Sequence, residues 1–488
     1  MGCLLKKPYV VLSLSLFSSI AVSSGAVISG KAPAPAAEAS RDAAILPPID
    51  ETKTLAVGEL GERIVATVRN LEAIGFSGAV LAAKDGKVVA AVAVGSADIK
   101  KKTSNTPATL FEIASTTKQF TGAAVMRLVQ EGKLKLDHPI HLYIKNVPED
   151  CTMISVRQLL QHTSGVSAKN SAGRGPDIGV VLPYFFAGGP KHKPGTHFEY
   201  WNQGYAILSE IIAVASGSSY TDYCKAQLFG PAGMTATCFT GDAAPNLPGV
   251  TVATGRSSYG APRSALAHPY GNEYGFQYRG MGGVVSNVWD LWRWDRALRE
   301  TKGGSILEAA AQAELFEPGL ENYALGWYVT KDSRGKTVHA HSGSVRGFVA
   351  DFRRLPDDDG CVIVLCNQFG AGAKQIADRV QNVLLGNDAG LPELPSPLSE
   401  ELAAELAGRY TDQKGNRLIV ERDGRVVKAT VEWQGGGYPN TNAWLGIIGD
   451  GGLVLVESAS NTPMSIERDE SGAVASLAIF EAKYRRKK

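Results

Sequence analysis

Ser115 and Lys118 stand three residues apart in Ser115-Thr116-Thr117-Lys118, where a strand-like run gives way to an amphipathic helix. On a helix that spacing puts both side chains on one face, within mutual reach. A serine hydroxyl becomes a useful nucleophile once a neighbour takes its proton, and an adjacent amine can do so. The same pattern recurs at Ser333-Arg334-Gly335-Lys336, inside a charged, Gly-containing stretch that reads as a hairpin turn. Context separates the two copies. Tyr200-Trp201-Asn202 follows a Pro194-Gly195 turn and opens the helix-like run Gly204 to Ile212. That places the Tyr200 hydroxyl at an element end, where a rigid scaffold can hold it. The decoys Tyr270-Gly271-Asn272 and Tyr438-Pro439-Asn440 lack this setting. A third cluster, His341-Ser342-Gly343, closes a strand-like run.

The elements that must position these residues can be read from periodicity. Gly78 to Ala83 and Lys87 to Val94 are apolar runs joined through Asp85-Gly86, a hairpin signal. The helix after Ser115 carries Phe120, Ala124, Val125, Leu128 and Val129 on one face and meets its stop at Gly132. Leu325 to Thr330, Thr337 to His341, Gly347 to Arg353 and Cys361 to Cys366 read as successive antiparallel strands, followed by a helix from about Ala373 to Leu385. Strands at both ends with helices between them predict an α+β domain whose N- and C-terminal segments share one sheet. Leu391 to Pro397 reads as a linker. Beyond it, short alternating strands around Asp423-Gly424 and Ser471-Gly472 predict a small antiparallel barrel or sandwich, with an accessory role.

The chain of 488 residues has 44% apolar composition, enough for more than one core. Its 50 basic and 48 acidic residues nearly cancel, and no basic groove with interleaved aromatics argues for nucleic acid. Lys6 and Lys7, the apolar stretch Tyr9 to Val22 and the small residues Ser23 to Ala26 have the order of a secretory signal peptide, predicted over residues 1–26. The expected location is secreted or periplasmic, with an uncleaved anchor as the alternative and no membrane span in the mature chain. An Ala/Pro-rich spacer is expected over 27–52. Six cysteines in this length are no disulfide framework; Cys224 and Cys238 could pair, but buried free thiols are the expectation.

Ser115-x-x-Lys118, Tyr200-x-Asn202 and His341-Ser342-Gly343, in that order, resemble the serine β-lactamase and penicillin-binding DD-peptidase superfamily, in its class C-like branch. The resemblance extends to Leu159-Leu160-Gln161-His162-Thr163-Ser164-Gly165, Met281 to Ser286, Leu325-Gly326-Trp327 and Ser344 through Phe348, and covers roughly Leu55 to Leu385. It implies a β-lactamase/transpeptidase-like fold, an antiparallel sheet with helices on both sides, over 53–390. The tail, 398–488, is similar to the lipocalin-like domain appended to such hydrolases. Ser115 would then attack a carbonyl, with its own N–H and that of Ser344 binding the oxyanion; Ser342 and Gly343 would line the substrate. Lys118 and Tyr200 would share the proton traffic as a coupled pair, with the base unassigned between them. Asn202 would hold the lysine and the substrate amide.

The third motif departs from the Lys-Thr-Gly of class C β-lactamases, because His341 replaces that lysine. A neutral imidazole attracts a carboxylate less than an ammonium does, though it can still donate a hydrogen bond. His-containing versions resemble DD-peptidases, D-aminopeptidases and some esterases. If His341 works as a neutral ring, the rate should fall below about pH 6.5. Arg346 could supply the missing charge, although an exposed strand-end arginine is the plainer reading. His162 reads as structural, its ring bonding backbone, and Trp289, Trp292 and Trp294 as packing residues. His339 and His341 share a strand face, yet no nearby ligand completes a metal set, and no Gly-x-Ser-x-Gly elbow occurs. The expectation is a serine hydrolase of D-amino-acid-containing peptides or amides, needing no metal or organic cofactor. An esterase or weak β-lactamase, and a non-catalytic peptide- or peptidoglycan-binding protein, are the alternatives. Oligomeric state is not readable from the chain.

Overall fold

The structure, a computed structural model, describes residues 49–487 apart from 74, 168–176, 257–261, 270–277, 302–304, 369–371, 392–394, 424–425, 433–440, 450, 458–459 and 480–481. The signal-peptide and spacer assignments up to residue 48, and both Tyr-x-Asn decoys, lie outside the described residues or rest on them only in part. No helix among the described residues is long and apolar enough to cross a membrane.

Seven antiparallel strands form the central sheet: β1 (Leu55–Ala56), β2 (Gly78–Lys84), β3 (Lys87–Val94), β4 (Tyr328–Lys331), β5 (Thr337–Val345), β6 (Phe348–Leu355) and β7 (Gly360–Cys366). Their order is β1-β3-β2-β7-β6-β5-β4, so the N-terminal hairpin pairs with the last strand, Gly78 opposite Cys366. The ends of the domain do share one sheet. The central strands alternate between two apolar faces rather than between core and water. Ala79, Leu81, Cys361, Ile363 and Leu365 enter the core that holds helix α2 (Lys118–Gln130) and helix α3 (Asn202–Ser216). Val80, Ala82, Val362, Val364 and Cys366 enter the opposite core, against α1 (Gly58–Ala73) and α4 (Ala373–Leu384). The five described cysteines are buried free thiols.

The predicted first strand of the C-terminal set is shorter than expected. Leu325, Gly326 and Trp327 are not in it, because Gly326 adopts φ +91° where a Cβ would lie 2.4 Å from the Lys118 carbonyl. That backbone-on-backbone approach bends the chain onto α2 before β4 begins. The second Ser-x-x-Lys copy is the β4–β5 hairpin turn, with Lys336 and Arg334 on Asp358.

The C-terminal strands close into an eight-stranded barrel running from Gly408–Thr411 to Ala482–Arg486. Leu418, Val420, Leu445, Leu455, Leu477 and Tyr484 fill its core together with Leu406 from the preceding short helix. Val454 and Val456 face outward into the α1/α4 core, so the barrel is docked on that side of the sheet. The proline-rich linker is engaged as well: Ser396 exchanges backbone hydrogen bonds with Ile447 at 2.8 Å each.

Candidate active site

The strand Phe111–Glu112 leads into Ser115 and pairs with Val284–Ser286. Glu112 is fully buried and binds the Arg263 guanidinium and the Tyr278 hydroxyl, which fixes the approach to the turn. Ala114 then adopts φ +49°, an uncommon conformation for a residue with a Cβ. The kink carries Ser115 onto a short 3₁₀ turn, Ala114–Thr117, just ahead of α2. Ser115 is half-buried and Lys118 fully buried.

Lys118 Nζ lies 3.2 Å from Ser115 Oγ, 2.8 Å from Asn202 Oδ1 and 3.0 Å from the Met281 carbonyl. It also sits over the Tyr200 and Tyr205 rings, 4.9 and 5.3 Å from their centroids. Among the described residues no carboxylate approaches it, and burial drives its pKa well below the ordinary lysine value. Tyr200 hydrogen-bonds Ser115, but burial outweighs that bond and pushes its phenol pKa up. The sequence left Lys118 and Tyr200 as a coupled pair with the base unassigned. Here desolvation acts on both members, and each is driven toward its neutral form.

Strand β5 completes the cluster. Gly343 presses on the turn so closely that a Cβ there would lie 2.1 Å from the Ile113 carbonyl. Thr116 Oγ1 donates to the His341 carbonyl at 3.3 Å, tying β5 to the same turn. Pairing of β4 with β5 stops at Ala340, so residues 341–345 carry a strand only on the β6 side. The Gly343-Ser344 backbone therefore borders Ser115 along an uncovered edge.

His341 does not face the solvent. Its Nδ1 lies 2.7 Å from the Ser342 carbonyl and must be the donor there; Nε2 then accepts from the Tyr323 hydroxyl at 3.0 Å. Burial, with Lys118 nearby, pulls its pKa down to about 3, so the pH 6.5 transition expected from a free imidazole is displaced far into acid. Both nitrogens are used internally, and neither is left for a substrate carboxylate. Ser342 is exposed, but its hydroxyl donates to Asp351 at 2.6 Å. Asp351 is buried and its other oxygen accepts from Arg353 Nε at 2.7 Å.

His162 has the structural contact expected of it, since Nδ1 accepts the Trp201 backbone N–H at 3.1 Å. Its ring stacks 4.2 Å from Tyr200 and 5.0 Å from Tyr205. Trp289 and Trp294 are buried packing residues, with Trp294 bonded to Gln119. His339 stacks on Phe316 at 4.0 Å instead of joining His341. Among the described residues no group of His, Cys, Asp and Glu is placed to hold a metal. Two participants had no functional assignment from the sequence: the Met281 carbonyl and Tyr323. Both lie in or beside motifs noted there, Met281 to Ser286 and Leu325-Gly326-Trp327, but a backbone acceptor leaves no signature in residue type.

Residues 65–387 match the family model described as Beta-lactamase. A Bacillus subtilis protein described as a penicillin-binding protein, PbpX, is 30% identical over 281 residues, 57% of this chain and 67% of that protein. Among solved structures, the octameric penicillin-binding protein homologue from Pyrococcus abyssi aligns with TM-score 0.59 at 24% identity, over 87% of this chain and 99% of that one. The D-amino acid amidase from Ochrobactrum anthropi SV3, complexed with D-phenylalanine, aligns with TM-score 0.57 at 21% identity, over 67% and 99%.

Proposed function

The chain belongs to the beta-lactamase family of serine hydrolases, and we propose that it works through an acyl-enzyme on Ser115, cleaving amides of D-amino-acid-containing substrates. The observation that carries this reading is the set of contacts around Lys118. A neutral amine has two N–H donors and one lone pair. Asn202 Oδ1 and the Met281 carbonyl are acceptors only, so they take the two protons. The lone pair is left for the Ser115 hydroxyl. Lys118 is thus the base in this proposal, and Tyr200, held as a phenol, is the acid that protonates the leaving group.

In the proposed sequence the Ser115 proton moves to Lys118 Nζ while Oγ bonds to the substrate carbonyl carbon. The oxyanion is received by the N–H groups of Ser115 and Ser344. Collapse expels the amine or alcohol, which leaves with the Tyr200 proton; Lys118 passes the Ser115 proton on to the phenolate, and water, giving a proton to Lys118 that returns to Ser115 Oγ, releases the acid. Similarity to the D-amino acid amidase supports an amide substrate, and the same machinery would accept esters. The order of residues 1–26 supports export as part of the proposal.

Incubation with a fluorophosphonate, followed by peptide mass mapping, tests the mechanism. The expected adduct is on Ser115 and absent from Ser115→Ala. Equal labelling of both proteins at that peptide would refute the nucleophile. A comparison of a D-amino-acid amide, a D-Ala-D-Ala peptide, nitrocefin and a short-chain nitrophenyl ester ranks the substrate classes. Inactivity on all four with intact folding would favour a binding protein.

A further inference from the structure

We infer that Arg263 is a positioning residue for the oxyanion site: it ties the strand that delivers Ser115 to the turn that ends β5, and so sets the spacing between the Ser115 and Ser344 N–H groups. The inference rests on the Ser115 hydrolase reading and adds to it a residue that acts through the backbone rather than on the substrate.

The two donors come from segments far apart in sequence, yet both must lie about 2.7–3.1 Å from one developing oxygen. Part of that spacing is set by contact. Gly343 against the Ile113 carbonyl limits how near β5 can come, and Thr116 Oγ1 holds the His341 carbonyl at 3.3 Å. Both act before Ser344. Past it, β5 has no β4 partner, and Arg346 and Gly347 turn the chain into β6. A small hairpin, Thr254–Gly255 paired with Arg263–Ser264, is wedged between that turn and the nucleophile strand. On one side the Leu110 N–H donates to the Thr251 carbonyl at 2.8 Å, and the Ala253 N–H donates to the Leu110 carbonyl at 2.9 Å. On the other, a Cβ on Gly255 would fall 2.7 Å from the Gly347 carbonyl.

Arg263 spans this wedge. Its buried guanidinium sits over the Phe348 ring, 5.1 Å from the centroid, and Nη2 forms an ion pair with Glu112. Nε and the same Nη2 donate to the Arg346 carbonyl at 3.2 and 2.9 Å, while Nη1 donates to the Ala267 and Ser264 carbonyls at 2.5 and 3.3 Å. The other Glu112 oxygen accepts from the Tyr278 hydroxyl. Glu112 stands three residues before Ser115 and Arg346 two residues after Ser344, so one planar group bridges the flanks of both donors. The rigid guanidinium fork makes this possible. A lysine ammonium can answer the Glu112 charge but cannot reproduce the fork on the Arg346 carbonyl.

The test is Arg263→Lys, with rates normalised to Ser115 sites counted by fluorophosphonate labelling at its end point. For a short-chain nitrophenyl ester, kcat per site should fall about tenfold to 100-fold while KM stays within about twofold, because misplaced donors weaken the transition state and not substrate binding. Phenylboronic acid, whose tetrahedral serine adduct puts an oxygen between the same N–H groups, should lose affinity by a similar factor. A purely structural role would lower the number of labelled sites and leave kcat per site and boronate affinity at wild-type values. That result overturns this inference alone, as does a change confined to KM. If Arg263→Lys does not fold, the double variant Glu112→Gln with Arg263→Met removes both charges, so that neither is stranded, and is read in the same way. Loss of the urea transition in both variants would assign Arg263 to stability and overturn the inference too. Absence of Ser115 labelling in wild type overturns the hydrolase reading and this inference with it.

Discussion

A buried lysine with no acid beside it among the described residues is driven toward its amine form, the form that can take a proton, and that is the condition of Lys118. Its amine form exists above its own pKa, so activity should be present above that lowered value and be lost as pH falls through it. An ester-hydrolysis profile should show one acid limb well below the usual lysine range. His341, drawn down to about 3, should add no inflection between pH 5 and 7. A limb centred near 6.5 that disappears in His341→Gln would reverse that assignment. Lys118→Ala should lower kcat by about 10³-fold or more in a protein that still folds, because the serine loses its proton acceptor. For Tyr200→Phe we expect about a 10²-fold fall in kcat with little change in KM. A loss under tenfold would take the phenol out of the proton path. The identities of these residues were readable from motif order. Their protonation was not, since it follows from burial imposed by segments distant in sequence.

At the scale of elements, the site depends on backbones that touch. Gly343 on Ile113 and Gly326 on Lys118 bring a strand and a turn within a Cβ radius of the nucleophile's flanks. Gly343→Ala must push β5 away from Ser115, at a cost of about 1–3 kcal/mol for overpacking. Thermal denaturation should detect the loss, and fluorophosphonate labelling should slow by more than the stability change explains. Labelling at the wild-type rate would mean that the strand edge contributes nothing to the oxyanion. The hairpin of β2 and β3, the strands β5 to β7 and the helix α4 were legible, because period-two runs bounded by Asp-Gly turns have one reading. Leu325 to Trp327 was misread as strand. Its composition is strand-like, and the contact that bends it lies about 200 residues away in sequence, on α2. Tyr323 went unassigned for the same reason: nothing local marks it as the donor to His341.

The whole molecule buries apolar strands on both sheet faces and docks its barrel on one of them, so few titratable groups near the sheet keep access to water. Three histidines are caught in this way. His339 and His341 are drawn down to about 3 and His162 well below its ordinary value, each by burial first. All three are neutral in the fold, while in the unfolded chain they bind protons below about 6.5. The unfolded state then holds more protons, and stability must fall as pH falls from about 6.5 toward 3. By pH 5 each contributes on the order of 1–2 kcal/mol of loss. Glu112 and Asp351, with pKa values raised by burial, act in the opposite sense. Urea unfolding of wild type and of His339→Gln at pH 7 and pH 5 separates the histidine contribution from that of Lys118, whose lowered pKa acts in the same sense. The wild-type midpoint should drop sharply between them, and His339→Gln should recover part of the drop without touching Ser115 or Lys118. An unchanged midpoint would mean that these rings are hydrated or protonated in place, and the neutral tautomer assigned to His341 would fall with it.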